Sequence, residues 1–447
     1  MEPDVHGDWL KQRDASYTDH IVAGSKDKDN MGERLFENFS LGVATARDAW
    51  AFNPSKRAVV ANIQRMIELY NGEVGRMAAA YPGLDRRGRE AVLNDFVDPD
   101  PTRISWSDGL KRQLIRGDTI DFDGSRPVRG LYRAFSPAWL YHDRRLIDRL
   151  YQMPRIFPAS TVENLVIGVS GIGSRPAFSC LMADAIPSLD ILEKAQFFPL
   201  HLYDTDSPEP DDNAPAARAL GSLFVAERPP PVYNAKCPSA PVRRDGITDA
   251  GLAHFQSAYP SEKITKEDVF YYVYGILHSP DYRERYADNL GKELPRIPRV
   301  VSASDFHAFS NAGRLLGDLH VGYEQVPEYP ARVEGLAKPT AAQLRVENMR
   351  FGKGKDKTVI HYNAHFTVRD IPLEAYEYVV NGKPAIEWVM ERQAVTTDKA
   401  SGIVKDANAW ATETVGDPRY PLSLLLRVIT VSLRTQEIVR GLPALNV

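Results

Sequence analysis

Arginines and aromatic rings share one stretch of the chain, residues 103–155, called here the arginine block. It holds eleven basic and six acidic residues, a net charge of +5. Its arginines could neutralise phosphates or read guanine through two hydrogen bonds, and its rings could stack on displaced bases. The rings are Trp106, Phe122, Tyr132, Phe135, Trp139, Tyr141 and Tyr151. From composition alone, an aromatic core with solvated arginines is the favoured alternative.

A second basic cluster lies near a predicted glycine-rich turn at residues 352–357, the lysine loop. The basic residues that we single out are Arg350, Lys353, Lys355 and Lys357. Such side chains suit contacts with phosphates, which give affinity without sequence information. A solvated turn explains them equally well. The whole chain has a net charge of -4, which fits a protein that touches nucleic acid on one face only.

Several catalytic motifs are absent from the sequence. There is no GxxxxGK[ST] string to hold a nucleotide phosphate, and no [NDS]PP[YF] loop of the kind that grips a flipped adenine in amino-methyltransferases. No lysine has Asp or Glu two residues before it, which removes the D/E-x-K pair of many metal-dependent nucleases. We therefore predict no catalytic residue and no cofactor in this chain.

Three weaker features are interpreted as structural. Gly168, Gly171 and Gly173 follow a predicted strand but lack GxGxxG spacing, which indicates a glycine-rich turn. His361 and His365 on a strand would be too far apart to share one metal ion, so no metal is predicted. Cys180 is expected to pack in the core.

Length and composition indicate a multidomain globular protein. The 447 residues are 43% hydrophobic and 26% charged, near the averages for globular chains. Cys180 and Cys237 lie far apart, so a disulfide scaffold is not expected and a reducing compartment fits. No signal peptide or membrane-spanning stretch is evident. We expect a cytoplasmic protein that does not bind a membrane.

The elements that must position these residues are of mixed type in the first half. A strand is predicted over 41–52, and Pro54 would take the first position of a following helix. A second helix is predicted over 85–96 and a buried strand over 164–169. Residues 208–241 are rich in proline and acidic residues, which is typical of a surface excursion or linker.

Helices dominate the middle, where Thr265 and Asp268 have the spacing of a capping pair. A hairpin follows, pairing 344–351 with 358–368, and a last helix spans about 422–439. We predict a mixed α/β (α+β) multidomain fold: a linker at 1–30, a mixed-sheet recognition domain at 31–240, a helical domain at 241–330, and a C-terminal β-hairpin plus helix at 331–447.

Long stretches of the chain resemble the C-terminal target-recognition region of type ISP restriction–modification enzymes and related helicase–methyltransferase proteins. The matching stretches are LGVATARDAW (41–50), LYRAFSPAWLYHDRRLIDRLYQMPRIFP (131–158), QFFPLHLY (196–203), 247–255, 264–298 and 385–410. They cover nearly the whole chain in the family's order. Ala134 departs from the family's usual proline, and residues 136–138 also differ.

This resemblance implies a recognition role within a longer polypeptide. In the family, a nuclease, an ATP-driven translocase and an adenine-N6 methyltransferase precede this region. Residues 2–13 resemble the seam after the methyltransferase, so we expect the chain to be a fragment. It would bind double-stranded DNA and contact the methyltransferase and helicase/nuclease modules, without catalysis of its own.

The resemblance also implies which residues face DNA. Thr45, Arg47 and Asp48 lie in the stretch that opens the recognition region, although Arg47 and Asp48 could simply pair and brace a strand. Central contacts are predicted for Arg126, Arg129, Arg133, Arg144 and Arg145. Two alternatives stay open: a stand-alone hydrolase or nuclease with an unrecognised site, and a protein-interaction module that docks on partner domains.

Overall fold

The computed structural model describes residues 12–25, 33–204 and 242–447. The predicted break at 208–241 lies outside these residues. So do nearly all of the family-like seam at 2–13 and the charged loop after Ser25. The described part has the mixed α/β architecture predicted from the sequence, with helices interspersed among several small sheets.

Two four-stranded sheets form the N-terminal half. The first is antiparallel, in the order Ser40–Leu41, Gln196–Pro199, Val166–Val169 and Cys180–Ala183. The second has the order Phe52–Asn53, Ser136–Tyr141, Pro127–Arg133 and Ile186–Pro187, with only the last pair parallel. Every residue of Val166–Val169 is buried, so the predicted buried strand is confirmed.

The prediction of one strand over 41–52 is wrong, although its two ends are strands. Ala46 takes a φ of 54°, and Asp48–Ala51 forms one helical turn. The Asp48 carboxylate accepts a hydrogen bond from the Thr45 hydroxyl, and such local bonds compete with strand pairing. The segment therefore turns and passes from the first sheet to the second.

Three helices follow: Lys56–Ala80, Arg86–Phe96 and Asp108–Arg116. The first packs on the second sheet through apolar residues at helical spacing, as predicted. Its N-cap is Ser55, whose hydroxyl accepts from the Ala58 amide. Pro54 thus precedes the cap, and the prediction that it opens the helix is wrong.

The middle of the chain is helical, as predicted. Its helices are Asp249–Gln256, Lys266–His278, Pro280–Arg285, Ala287–Leu290 and Ala303–Val321. Thr265 and Asp268 form the predicted capping box. The helices Lys266–His278 and Ala303–Val321 cross closely at two glycines. A Cβ on Gly313 would lie 1.9 Å from the Tyr271 carbonyl oxygen, and one on Gly275 would lie 2.1 Å from that of Phe309.

The C-terminal sheet is larger than the predicted hairpin. Arg350–Phe351 pairs with Ile360–His361, which confirms part of the predicted pairing. The second predicted strand is wrong as one piece, because its chain turns at Asn363 and returns as Thr367–Arg369. Asn363 Oδ1 accepts from the amides of His365 and Phe366, which stabilises this turn. Arg332–Glu334 completes a four-stranded sheet.

Smaller elements complete the architecture. The remaining strand pairs are Ile21–Val22 with Arg296–Ile297, His201–Asp204 with Val242–Asp245, Val379–Val380 with Lys383–Pro384, and Val395–Thr397 with Val404–Asp406. The remaining α-helices are Met153–Ile156, Ala341–Leu344, Ala385–Arg392, Ala407–Ala409 and Tyr420–Arg440. Tyr420–Arg440 confirms the predicted closing helix. A π-helix spans Trp410–Val415.

The largest apolar core joins the two ends of the chain. It includes Val43 and Phe135 from the N-terminal half and Leu424 and Val428 from the closing helix. The Phe135 ring meets that of Tyr323 edge-on, with centroids 5.3 Å apart. The domain bounds stay a prediction. Within the described ranges, no helix is long and apolar enough to cross a membrane.

Candidate nucleic-acid interface

Thr45 and Arg47 lie inside the protein, with 1% and 4% of their surfaces exposed. The Arg47 guanidinium donates to the carbonyl oxygens of Ser105 and Leu146 and, over 2.7 Å, to the Ser107 hydroxyl. Burial lowers the pKa of Arg47 to about 10. In this conformation Arg47 holds the loops around the N-cap of Asp108–Arg116 and presents no surface to DNA.

Asp48 braces the same segment, but its partner is not Arg47. Its carboxylate accepts from Thr45 and lies 3.8 Å from the guanidinium of Arg133. The predicted alternative, in which Arg47 and Asp48 pair to brace a strand, is therefore wrong: the two side chains have different partners, and the segment turns into a short helix.

The five predicted arginines of the block do not form one continuous surface of free charges. Arg126 bonds Asp123 at 2.9 Å, and Arg145 holds Asp143 through two bonds of 3.1 and 2.8 Å. A neighbouring aspartate thus reduces the charge that each of these two arginines offers to a ligand.

The other three differ from one another. Arg129 lies 3.1 Å from Glu324 and 3.7 Å from Asp184, so it ties the second sheet to the helical middle. Arg144 is exposed and has no side-chain partner among the described residues. Arg133 has only 16% of its side chain exposed.

Most rings of the block stabilise the fold. Phe135 and Tyr141 are buried, and the Trp139 indole donates to the Thr414 hydroxyl at 2.9 Å. The alternative of an aromatic core therefore describes Phe135 and Tyr141. Trp139 and Tyr132 are half-buried, and of these two only Tyr132 borders a cavity.

The lysine loop divides into free and paired charges. Lys353 and Lys355 are exposed, and neither has a side-chain partner in the described part of the chain. Lys357 pairs with Glu387 at 2.8 Å, and Arg350 donates to the Asn348 side chain at 2.9 Å. Lys353, Lys355 and Arg350 are exposed without a carboxylate partner among the described residues, which suits phosphate contact, whereas Lys357 is neutralised by Glu387.

Two cations that the sequence did not single out lie around Tyr132. Lys405 Nζ is 4.1 Å from the ring centroid, and the Arg392 guanidinium carbon is 6.0 Å from it. Arg133 lies over the same ring at 4.1 Å. These are cation–π distances. Residues 385–410 resemble the family, but nothing in their spacing marks these two residues, because the fold alone brings them to Tyr132.

Burial changes the chemistry of both cations. The pKa of Lys405 falls to about 8 because of burial, and the nearby positive charges of Arg133 and Arg392 add to this effect. The pKa of Arg392 is also lowered, by burial and by the charge of Arg133. The cluster therefore concentrates positive charge in a partly dry site, where an anion would be favoured.

The weaker sequence features have structural roles. Cys180 is buried with its sulfur 3.4 Å from His278 Nδ1. Gly171 follows the strand Val166–Val169, and a Cβ there would lie 2.1 Å from the Lys194 carbonyl oxygen, so the turn requires glycine. His361 bonds Thr367 at 3.1 Å. In the residues that the model describes, no group of three His, Cys, Asp or Glu is placed to hold a metal ion.

The exposed lysines and the cation cluster at Tyr132 are features of a module that binds an anionic ligand. The chain belongs to the family described as the Type ISP C-terminal specificity domain, whose model matches residues 34–424. The resemblance found in the sequence is thereby confirmed. The comparison with curated proteins gave no match.

Three solved structures are similar over the whole chain. A nuclease-deletion mutant of the Type ISP restriction-modification enzyme LlaGI, in complex with a DNA substrate mimic, is 33% identical with a TM-score of 0.81. The ATP-dependent Type ISP restriction-modification enzyme LlaBIII bound to DNA is 32% identical, also at 0.81. The DrdV–DNA complex is 28% identical at 0.77. The chain covers 36%, 25% and 40% of these three chains, respectively.

Proposed function

We propose that this chain recognises specific sites on double-stranded DNA for a type ISP restriction–modification enzyme. The observation that carries the proposal is the likeness of the entire chain to three enzymes solved with DNA, two of them more than 30% identical. Separate modules would methylate adenine at N6, translocate and cleave. The chain would act in the cytoplasm and do no chemistry itself, leaving the choice of target as its contribution.

The basic residues would contribute to DNA binding in two ways. Lys353, Lys355 and Arg144 are exposed without a close carboxylate, so they would contact phosphates and hold the duplex in register. Arg126 and Arg145 would exchange their aspartate partners for DNA. Each arginine loses its ion pair with aspartate in this exchange. The DNA must therefore be placed well enough to replace that ion pair.

The partner surfaces follow from the same proposal. The methyltransferase would complete a clamp around the duplex, with the recognition domain at 31–240 on one side of it. The helices of the middle region have apolar faces already packed within this chain, as at Tyr271 and Phe309. Contacts with other modules would therefore use residues outside that packing.

A gel shift tests the proposal directly, with random duplex DNA and the chain alone or mixed with the methyltransferase module. Retarded duplex with the chain alone, or with the mixture beyond what the methyltransferase retards by itself, is the expected result. No added retardation in either case would leave a protein-interaction module as the better explanation. DNA cleavage by the chain alone would favour a nuclease instead.

A further inference from the structure

A cavity lies beside Tyr132, where the second sheet meets the C-terminal region. Its volume is about 50 Å³, and its wall includes Asn53, Tyr132, Arg392, Gln393, Lys405 and Trp410. A single water needs roughly 10–15 Å³ on this measure, so the cavity has room for more than one water molecule. It is large enough for a small polar group.

Arg392 and Lys405 line this cavity, and Arg133 lies over the same Tyr132 ring without lining it. All three charges are weakly neutralised. Lys405 has no ion pair within the described residues, and its Nζ bonds only the Asp48 carbonyl oxygen, at 3.2 Å. Arg133 has carboxylates of Asp48 and Asp190 no closer than 3.8 and 3.9 Å. Arg392 bonds its sequence neighbour Glu391 at 2.6 Å. Glu391 also lines the cavity and is shared with Lys383, so it neutralises Arg392 only in part. Partly buried cations are costly without a close anion, and the described residues supply only this one contact.

Two buried donors at the cavity wall also lack an acceptor among the described residues, namely Trp410 Nε1 and Arg392 Nε. Gln393 Oε1 also lacks a hydrogen-bond partner among the described residues. If the oxygen and nitrogen of this side-chain amide are exchanged, a donor takes its place. Gln393 and Trp410 are each 5% exposed. Buried polar groups of this kind are normally satisfied, so an acceptor-rich ligand fits the wall.

We propose that Arg392 and Lys405, which line the cavity beside Tyr132, form a pocket for one phosphate group, supplied by the backbone of bound DNA, and that Arg133 over the same ring adds positive charge from outside the wall. A phosphate has several acceptor oxygens and negative charge, and it matches arginine forks and a lysine point charge. The phosphodiester source rests on the proposed function. A free nucleotide or inorganic phosphate offers the same chemistry, and the experiment below separates these sources.

Lys405 gives the pocket a pH signature. The groups that face it are Asp48, Tyr132, Arg133, Arg392 and Asp398. Because burial lowers its pKa to about 8, bound phosphate would restore its proton. DNA affinity should therefore fall roughly tenfold between pH 7 and 9 as the free lysine loses its charge.

The test is a fluorescence-anisotropy titration of the full chain with labelled duplex DNA over a range of salt concentrations. Lys405→Met should bind roughly tenfold more weakly and lower the salt slope by about one unit. Lys399→Met is the matched control, since Lys399 is exposed at the turn of the same hairpin, away from the cavity. Lys399→Met should bind DNA with an affinity and a salt slope closer to those of the wild type. Equal effects of the two substitutions would overturn the proposal.

Lys405→Arg is the control for a folding defect, because it keeps the positive charge at this position. It should bind DNA at pH 7 and lose the decline in affinity toward pH 9. A decline equal to that of the wild type would contradict the role of Lys405.

Inorganic phosphate and ATP form the second arm, read by thermal unfolding of the same variants. If the wild type binds no duplex, either alone or with the methyltransferase module, the proposed function fails. If phosphate or ATP then stabilises the wild type but not Lys405→Met, the pocket serves a free ligand and its assignment to DNA is wrong. If DNA binds and Lys405→Met equals the wild type, only the pocket proposal fails.

Discussion

The ammonium group of Lys405 lies 4.1 Å from the centre of the Tyr132 ring, so the C-terminal region contacts the arginine block here. Tyr132 belongs to the strand Pro127–Arg133 and Lys405 to the hairpin strand Val404–Asp406. The same large core joins Phe135 to the closing helix. Residues proposed to bind DNA from both ends of the chain are thus held by one packed unit, and changes at either end should affect the other.

Arg47→Ala should lower the free energy of unfolding by about 3 kcal/mol, because three acceptors lose their donor inside the protein. Urea unfolding measures this loss. Arg47→Lys should restore only part of it, since an ammonium group cannot reproduce the guanidinium fork. Folded Arg47→Ala should still choose the same DNA. If Arg47→Ala is as stable as the wild type but no longer selects the same DNA site, Arg47 reads bases instead.

Lys353→Ala with Lys355→Ala should weaken binding to all duplexes alike and reduce the salt slope by about two units, one for each phosphate contact. Stability should not change, because both side chains are exposed without partners in the described chain. Lys357→Ala is the control, and it should change the slope less because Glu387 already pairs with Lys357. A double variant with the wild-type slope would mean that the loop is a solvated turn.

Acid should destabilise the protein through buried histidines. Met182 N–H donates to the Tyr274 hydroxyl, which donates to His320 Nδ1, while His320 Nε2–H donates to Thr435. The Thr435 hydroxyl donates to the Val431 carbonyl oxygen, so its oxygen is free to accept from His320 Nε2–H. Burial lowers the pKa of His320 to about 3, so its ring is neutral, and this assigns Nδ1 as the acceptor of the Tyr274 hydroxyl. Burial also lowers the pKa of His278 well below its usual value.

The unfolded chain takes up protons on these histidines near pH 6.5, before the folded chain does. The contribution of each neutral histidine to the free energy of unfolding is fully present above pH 6.5. It falls as the pH decreases from 6.5 toward 4, by about 1.4 kcal/mol per pH unit for each histidine. His320→Gln should flatten the dependence measured by urea unfolding at several pH values. His365→Gln is the exposed control and should leave it unchanged. An unchanged slope in His320→Gln would contradict this account.

The purified chain should show no ATPase, methyltransferase or nuclease activity, because its sequence lacks the P-loop, the [NDS]PP[YF] loop and the D/E-x-K pair. Phosphate release, transfer of labelled methyl groups to DNA and plasmid cleavage are the three assays. Activity that a single substitution in this chain abolishes would show a catalytic site that the motifs do not describe.

The sequence predicted the family, the mixed fold class and most long helices. Helical spacing and caps are local, so the helix over 85–96 and the capping box at Thr265 could be found without the structure. The strand predicted over 41–52 was wrong because one side-chain bond, from Thr45 to Asp48, turns the chain. Thr45 and Asp48 have the same spacing as Thr265 and Asp268, but the strand prediction did not use it.

The candidate site was less predictable because burial and pairing depend on distant residues. Arg47 and Arg144 looked alike in the sequence, yet one is buried among three acceptors and the other is exposed. Lys357 differs from Lys355 because it is half-buried over the Tyr376 ring and pairs with Glu387, which lies on the helix Ala385–Arg392. Lys405 carried no signal, since its partner ring is in another part of the chain.

Selection from a random duplex library tests the central claim most directly. The chain is incubated with short duplexes of random sequence, alone and joined to its methyltransferase module, and the bound DNA is sequenced after several rounds. We expect one short motif to be enriched, and the Lys353→Ala, Lys355→Ala variant to enrich the same motif with lower yield. Bound DNA with the composition of the input library would contradict sequence-specific recognition by this chain.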